Sequence, residues 1–332
     1  MLRALELATY AIKNCRPNPA VGAIIVKNGE VIGEGCTQEP GNAHAEIVAL
    51  KNAGENAKDA DLYVTLEPCC HYGRTPPCTD KIISSGIKKV FYGSLDPNPE
   101  VAGKGLKKLQ EAGIETVKEN LNGLVDNFYE SYFWFVKNKS PFVTLKIAQT
   151  MDGFIANSDK SPLKITGEKS RAELHRLRSF CDVVVIGGGT LRSDNPQLTV
   201  REVKGANPQK FIFSKSNFKG GTFKENWNSM MQNFTEKGMY HILVEAGATL
   251  AENLFSIPNS FQKFLLWTSP MRLGKGLQYP AYSFPKNFEL KRIYMQGKDF
   301  CCELILNAAN RSPICFKEIN SPKPYRTAHQ LA

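Results

Sequence analysis

The chain has 332 residues, 42% of them hydrophobic, and a net charge of +10. That length suggests about two domains, each able to bury a core, and no apolar run reaches the ~20 residues of a membrane span. The charge is uneven: residues 1–140 hold 16 Lys/Arg and 17 Asp/Glu, the remainder 26 and 15, so the first half lacks the basic footprint of a nucleic-acid-editing surface. The basic second half could attract a phosphorylated cofactor and substrate, or could simply be solvated.

Taken in order, Leu2, Leu5, Ala8 and Ile12 predict a helix over residues 2–14, ended by R16-P-N-P19. The N-terminal stretch carries Glu6 and no continuous apolar core, so it does not read as a signal peptide. Val21–Val26 is an expected strand, Asn28-Gly29 a hairpin turn, and Glu30–Gly35 the return strand. A helix over Ala43–Ala53 would present His44 and Glu46 from its first turn. Leu62–Leu66 is a strand, Cys78–Ser85 a helix, Lys89–Gly93 a strand, Lys104–Ala112 a helix, Ile114–Val117 a strand and Leu121–Val136 a long helix. N138-K-S-P141 reads as a linker, which divides the chain into residues 1–140 and 141–332. The second half restarts with the strand Phe142–Ala148. Ala172–Arg178 lies in a helix, and D182-V-V-V-I-G-G-G189 is a buried strand running into glycines. Strands follow at Gln209–Phe213 and Tyr240–Val244, then late ones at Lys263–Trp267, Phe288–Ile293 and Cys301–Leu306. Asn217–Lys237 is polar and reads as loop with one short helix. Both halves alternate strands and helices, the pattern of layered α/β folds.

The chemistry concentrates between His44 and Cys78. A hydrolytic zinc site needs a His and two thiolates around one Zn²⁺, with a fourth position left for water. It also needs a carboxylate that shuttles the proton without binding metal. His44, Cys69 and Cys78 are the candidate ligands and Glu46 the candidate shuttle. The general deaminase pattern, H-x-E then P-C-x-x-C, is met at His44, Glu46 and Pro68-Cys69. Tyr72 stands where the second Cys falls, and the spare thiol comes later at Cys78. A structural zinc with four protein ligands is the competing reading, with Cys70 or His71 as the fourth. Nine cysteines without disulfide-framework spacing, beside a thiolate metal site, fit a reducing cytoplasm. G187-G-G189 and G247-A-T249 are not dinucleotide fingerprints. Placed after strands, they are either tight turns or backbone that approaches phosphates.

E67-P-C-C-H-Y-G-R-T-P-P-C78, with R16-P-N-P-A-V-G22, H44-A-E46, D96-P-N-P99 and G103-K-G105, resembles the bifunctional riboflavin-biosynthesis deaminase-reductases. L145-K-I-A-Q-T-M-D-G153, T190-L-R-S-D-N-P-Q-L198 and L243-V-E-A-G-A-T-L250 resemble the reductase half of that family. The resemblance implies a cytidine-deaminase-like three-layer α/β domain followed by a dihydrofolate-reductase-like α/β domain, with Zn²⁺ and NADPH as cofactors. It implies that Asn18, His71, Arg74, Asp96 and Asn98 bind a phosphoribosyl-pyrimidine substrate, Arg74 taking the phosphate. Lys146 and Glu245 would contact the ribose, Lys146 catalytically. Arg178, Leu198 and Arg201 would hold the rest of the substrate, phosphate included. Ala148, Thr166, Thr190, Asp194, Gly247, Ala248 and Thr249 would line the NADPH site. Three positions depart from the family pattern: Thr37, Lys164 and Ser214-Lys215.

The implied reaction is hydrolytic deamination of 2,5-diamino-6-(5-phosphoribosylamino)pyrimidin-4(3H)-one, then NADPH-dependent reduction of the ribose to a ribityl chain. A homo-oligomer acting on this small molecule is expected, with no nucleic-acid or membrane partner. Two other classes stay open: a nucleoside or tRNA deaminase with an unrelated C-terminal domain, and a non-catalytic zinc module.

Overall fold

The computed structural model describes residues 1–159, 161, 163–214, 222–223, 226–278 and 287–307. The first helix, α1 (Leu2–Ala11), buries Ala4, Leu5, Ala8 and Ala11. It stops three residues short of the expected end, because Asn14 and Cys15 already bond back to the Ala11 carbonyl in turns. Strands β1 (Gly22–Lys27) and β2 (Glu30–Cys36) form the expected hairpin. Asn28 and Gly29 both sit at positive φ there, as such a turn requires.

Then come α2 (Ala45–Ala53), β3 (Asp61–Leu66), α3 (Cys78–Ser84), β4 (Lys89–Ser94), α4 (Lys104–Glu111), β5 (Glu115–Lys118) and α5 (Leu124–Asn138). The five strands run β2-β1-β3-β4-β5. The first two pairings are antiparallel and the last two parallel. Helix layers follow from register. Gly22 faces Cys36 and Ala23 faces Gly35, so Gly22 and Gly35 look to opposite faces. A Cβ on Gly22 would lie 1.9 Å from Ala4 O of α1, and one on Gly35 2.4 Å from Ala45 O of α2. Glycine therefore lets one helix lie directly on each face. Phe128 of α5 packs with Ala11, Ile12 and Cys15 on the α1 side. The result is the expected three-layer α/β domain.

Helix α5 starts three residues later than expected, because Leu121, Asn122 and Gly123 have positive φ. It ends at Asn138, and Lys139 closes it in a left-handed conformation.

The second half comprises β6 (Phe142–Thr150), β7 (Phe154–Ala156), α6 (Glu168–Phe180), β8 (Val183–Gly187), α7 (Gly188–Asp194), β9 (Gln209–Phe213), β10 (Thr222–Phe223), α8 (Trp227–Glu236), β11 (His241–Glu245), α9 (Ala248–Ser256), β12 (Lys263–Ser269), β13 (Leu277–Gln278), β14 (Phe288–Gln296) and β15 (Asp299–Leu306). Eight strands form one sheet in the order β10-β9-β8-β11-β6-β12-β15-β14. It is parallel from β10 through β12 and antiparallel at the β15 and β14 edge.

Alternate side chains of each central strand serve opposite faces. Val143, Leu145, Val183, Val185, Ile242 and Val244 pack under α8 and α9. Val184, Ile186 and Leu243 pack under Leu174 and Leu177 of α6. This is the arrangement expected of a dihydrofolate-reductase-like reductase.

Two points of local structure refine these expectations. The buried strand that runs into glycines ends at Gly187, and Gly188-Gly189 open helix α7. Within the stretch read as loop with one short helix, Trp227–Glu236 form a ten-residue helix. Asn226 caps it by accepting from Ser229 N at 2.9 Å, and Trp227, Met230, Met231 and Phe234 are buried. Residues 217–221 and 224–225 of that stretch lie outside the described residues. Among the described residues, no helix is long and apolar enough to cross a membrane.

Candidate active sites

Helix α2 begins one residue after His44, which is its N-cap in extended conformation rather than part of its first turn. Cys69 follows β3, and Cys78 opens α3. The three ligand atoms lie within 4.8 Å of one another. His44 Nδ1 is 3.5 Å from Cys69 Sγ and 3.3 Å from Cys78 Sγ. That spacing and the soft donor set fit a tetrahedral zinc with one position free. Among the described residues neither Cys70 nor His71 joins the group: Cys70 Sγ turns to Glu100 O at 3.7 Å, and His71 Nε2 lies 3.7 Å from Glu100 Oε2. A four-ligand structural zinc therefore loses its proposed fourth ligand.

Hydrogen bonds from the Cys78 thiol and from His44 hold Cys69 well below the usual thiol range, near 4. The Cys78 backbone N–H adds to them at 3.3 Å. Glu46, in the first turn of α2, is 3% exposed. Burial pushes its carboxyl up to about 7.

The metal-ligand cluster opens on a cavity of about 450 Å³. Asn18, His71, Arg74, Asp96 and Asn98 all line it, as do Glu46, Thr37 and Tyr132. Asp96 is held by Asn98 N at 2.9 Å and by Tyr132 Oη at 3.3 Å from each carboxylate oxygen. Burial pushes Asp96 up to about 6. His71 Nδ1 is buried without a partner among the described residues. Thr37 accepts from Val21 N at 3.0 Å through its hydroxyl, so this departure from the family pattern fixes the cavity wall.

Two residues escaped sequence reasoning. Tyr132 belongs to no motif, although its place one turn from Phe128 and Phe135 on α5 could have put it on the pocket side. Glu67 was read only as part of the motif. Its carboxylate is 4% exposed and accepts from Gly103 N at 2.9 Å, Gly105 N at 3.0 Å, Asp96 N at 3.3 Å and Leu106 N at 3.4 Å. It ties the D96-P-N-P99 loop to the start of α4, where the helix dipole favours an anion.

In the second half, Lys146 and Glu245 occupy paired positions on neighbouring parallel strands. Glu245 ends β11, but Lys146 sits mid-strand, because β6 continues to Thr150. Lys146 is 8% exposed, with Nζ 4.8 Å from the Trp267 ring centre. Burial lowers its pKa, and Glu245 opposes that shift.

Arg178 of α6 meets Glu245 in a two-pronged ion pair of 2.6 and 2.8 Å and donates to Thr199 O at 3.1 Å. Glu245 therefore does not cap α9; Gly247 is the N-cap. The Leu198 side chain is 4% exposed in the α6-side core. Its backbone has φ +53°. Arg201 is exposed, and its N–H donates to His175 Nδ1 at 2.9 Å. His175 is a further residue missed in the sequence; its acceptor Nδ1 identifies the neutral ring.

Thr190 lies in the first turn of α7, and Gly247 caps α9 with Ala248 and Thr249 as its first residues. A Cβ on Gly247 would sit 3.2 Å from Thr190 Oγ1, so two helix starts converge where backbone N–H groups can meet phosphate. Ala148 and Thr166 are half-buried, and Asp194 is exposed at the end of α7. Lys164 is exposed, and Ser214 follows β9; Lys215 lies outside the described residues.

A family model of the cytidine and deoxycytidylate deaminase zinc-binding region matches residues 1–94, and one of the RibD C-terminal domain matches residues 141–302. Riboflavin biosynthesis protein RibD of Aquifex aeolicus is 37% identical over 313 residues, covering 83% of this chain and 88% of that protein. The Synechocystis protein of the same name is 45% identical over 216 residues, 65% of this chain and 59% of that protein. The Thermotoga maritima diaminohydroxyphosphoribosylaminopyrimidine deaminase/5-amino-6-(5-phosphoribosylamino)uracil reductase superposes with a TM-score of 0.78 at 33% identity, over 92% of this chain and 97% of that one. Acinetobacter baumannii RibD gives 0.76 at 29%, over 92% and 97%.

Fold and sites together define a two-part enzyme, a zinc-dependent deaminase joined to an NADPH-dependent reductase. The chain belongs to the RibD family of riboflavin-biosynthesis proteins.

Proposed function

We propose that residues 1–140 deaminate 2,5-diamino-6-(5-phosphoribosylamino)pyrimidin-4(3H)-one and that residues 141–332 then reduce its ribose to a ribityl chain. The observation that carries this reading is that the His44, Cys69 and Cys78 cluster opens, with Glu46, on one cavity lined by all five expected substrate contacts. Bound zinc supplies the Lewis acidity that makes water a nucleophile at neutral pH, and NADPH supplies the hydride. Glu46 takes the proton of the attacking water and passes it to the departing ammonia. Asn18, Asp96 and Asn98 orient the pyrimidine, and Arg74 takes the phosphate. In the second site Lys146 stabilises the ribose oxygen as hydride reaches C1′. Glu245 accepts hydroxyl protons, with Arg178 fixing its carboxylate. The backbone N–H groups at the starts of α7 and α9 hold the NADPH phosphates.

The finer expectations belong to the same proposal. A reducing cytoplasm suits the thiolate ligands and the free cysteines found among the described residues. A homo-oligomer suits edge strand β14, which among the described residues exposes Leu290, Ile293 and Met295 beside Phe300 of β15, because sheet edges invite pairing.

Chelating zinc from the purified enzyme tests the reading. Ammonia release should cease, while NADPH oxidation with the deaminated intermediate continues. Retained ammonia release in zinc-free protein would remove the proposed metal chemistry.

A further inference from the structure

The R16-P-N-P19 loop carries Asn18 into the deaminase cavity, yet its first two residues are gripped by the other half of the chain. Arg16 is nearly enclosed, its side chain 13% exposed. Its Nε meets Asp182 Oδ1 at 2.7 Å, its guanidinium carbon lies 3.9 Å from the Tyr240 ring centre, and Nη1 also bonds the Tyr240 hydroxyl. Asp182 is itself fixed: its other oxygen accepts from Tyr240 N at 3.0 Å and His241 N at 2.9 Å. Pro17 sits against Gly238, where φ is +68° and a Cβ would come within 2.7 Å of Pro17 Cβ. Only glycine combines that backbone with that approach.

The opposite wall of the cavity leans on the same residue. The Tyr240 ring lies 5.9 Å from Tyr132 and 5.3 Å from Phe135, centre to centre. Tyr132 holds Asp96. Tyr240 is 2% exposed and belongs to the apolar core of the first half, although it stands at the start of β11 in the second.

We propose that Gly238, Tyr240 and Asp182 are positioning residues for the deaminase: through Arg16, Pro17 and Tyr132 they set the spacing between Asn18 and Asp96 across the substrate. The deaminase site is then incomplete without the reductase half. This rests on the deaminase reading above and adds that the second half completes the first half's pocket. It also predicts an asymmetry. None of these contacts reaches Lys146, Glu245 or the starts of α7 and α9, so disturbing them should touch one reaction and spare the other.

The test uses the full-length zinc enzyme with the diaminopyrimidine phosphate, and separately with its deaminated product and NADPH. Arg16→Ala and Gly238→Ala should lower kcat/KM for ammonia release by roughly 10- to 100-fold, the scale for misplacing a binding group by about an ångström. Most of the loss should appear in KM, with zinc content unchanged. Arg16→Lys keeps the charge without the planar fork and should fall between. NADPH oxidation should stay close to that of the unaltered enzyme. Should the alanine variants fold poorly, Tyr240→Phe removes a single hydroxyl and should give a smaller rise in KM of the same kind. Unchanged deamination in these variants overturns the proposal, and so does an equal loss of both reactions, which would mark a purely structural role. If the unaltered enzyme releases no ammonia, the deaminase reading itself falls and this inference with it.

Discussion

Glu46 and Lys146 are both buried ionisable side chains, 3% and 8% exposed, and the proposed reactions ask each to act on one proton or one developing charge. Glu46→Gln keeps the shape and the zinc ligands but cannot carry a proton. Ammonia release should fall by about 10²–10⁴-fold with zinc retained, and near-normal release would remove Glu46 from that role. Lys146→Ala should abolish reduction and let the deaminated intermediate accumulate, with ammonia release intact. Lys146→Arg should recover little, since a planar fork replaces a compact ammonium. Chromatography showing ribityl product at the normal rate from Lys146→Ala would contradict this.

Asp96 carries a stability cost that pH can reveal. Burial raises its pKa to about 6 in the fold, above the unfolded value, so the folded state holds the extra proton between about pH 4 and 6. Its contribution to stability is present below that window and lost as pH rises through it. Asp96→Asn imitates the protonated carboxyl. It should stabilise the enzyme above pH 7 by on the order of 2 kcal/mol, much less at pH 4.5, and weaken deamination. Equal thermal shifts at both pH values would rule out this origin.

At the scale of elements, what was legible followed from periodicity and turn chemistry. The Asn28-Gly29 hairpin, the alternation of strands and helices, and the break before Phe142 could all be read directly. Helix starts were harder. His44 was placed inside a helix that begins at Ala45, because an extended N-cap and a first-turn residue look alike in sequence. The glycines at the end of β8 are compatible in sequence with a tight turn or with backbone that approaches phosphate; an N-cap glycine followed by glycines opens a helix whose N–H groups can meet an anion. The one helix expected within Asn217–Lys237 is α8, whose bounds were hard to place because its stripe of Trp227, Met230, Met231 and Phe234 lies among polar residues.

Glu67 shows how much one side chain can hold at this scale. Glu67→Ala would leave the four N–H groups at Asp96, Gly103, Gly105 and Leu106 without their acceptor. We expect a cost on the order of 3 kcal/mol, seen as a drop in the thermal midpoint of roughly 10 °C. Glu67→Gln, with one acceptor oxygen left, should lose less. An unchanged midpoint in Glu67→Ala would show that the loop and α4 do not depend on this carboxylate.

At the scale of the whole molecule, the clustering of His44, Cys69 and Cys78 and the shared cavity of Asn18, His71, Arg74, Asp96 and Asn98 were legible because local motifs carry these residues. The reductase geometry was less so. Glu245 could be placed on a strand end, but its pairing with Arg178 spans 67 residues, and no local pattern reports a contact of that kind. The grip of Tyr240 on Arg16 is longer still, 224 residues apart, and makes two halves that read as separate in sequence lean on each other. The two proposed chemistries nonetheless stay distinct, one at the His44–Cys69–Cys78 cluster and one around the paired Lys146 and Glu245 of β6 and β11. The measurement that tests this most directly follows ammonia and NADPH together on the diaminopyrimidine phosphate. Ammonia should be released with or without NADPH, NADPH oxidation should occur only after deamination, and with both present the two should match one to one, ending in a ribityl product. Ammonia released from cytidine or tRNA instead, with no NADPH consumed on any deaminated product, would contradict the account.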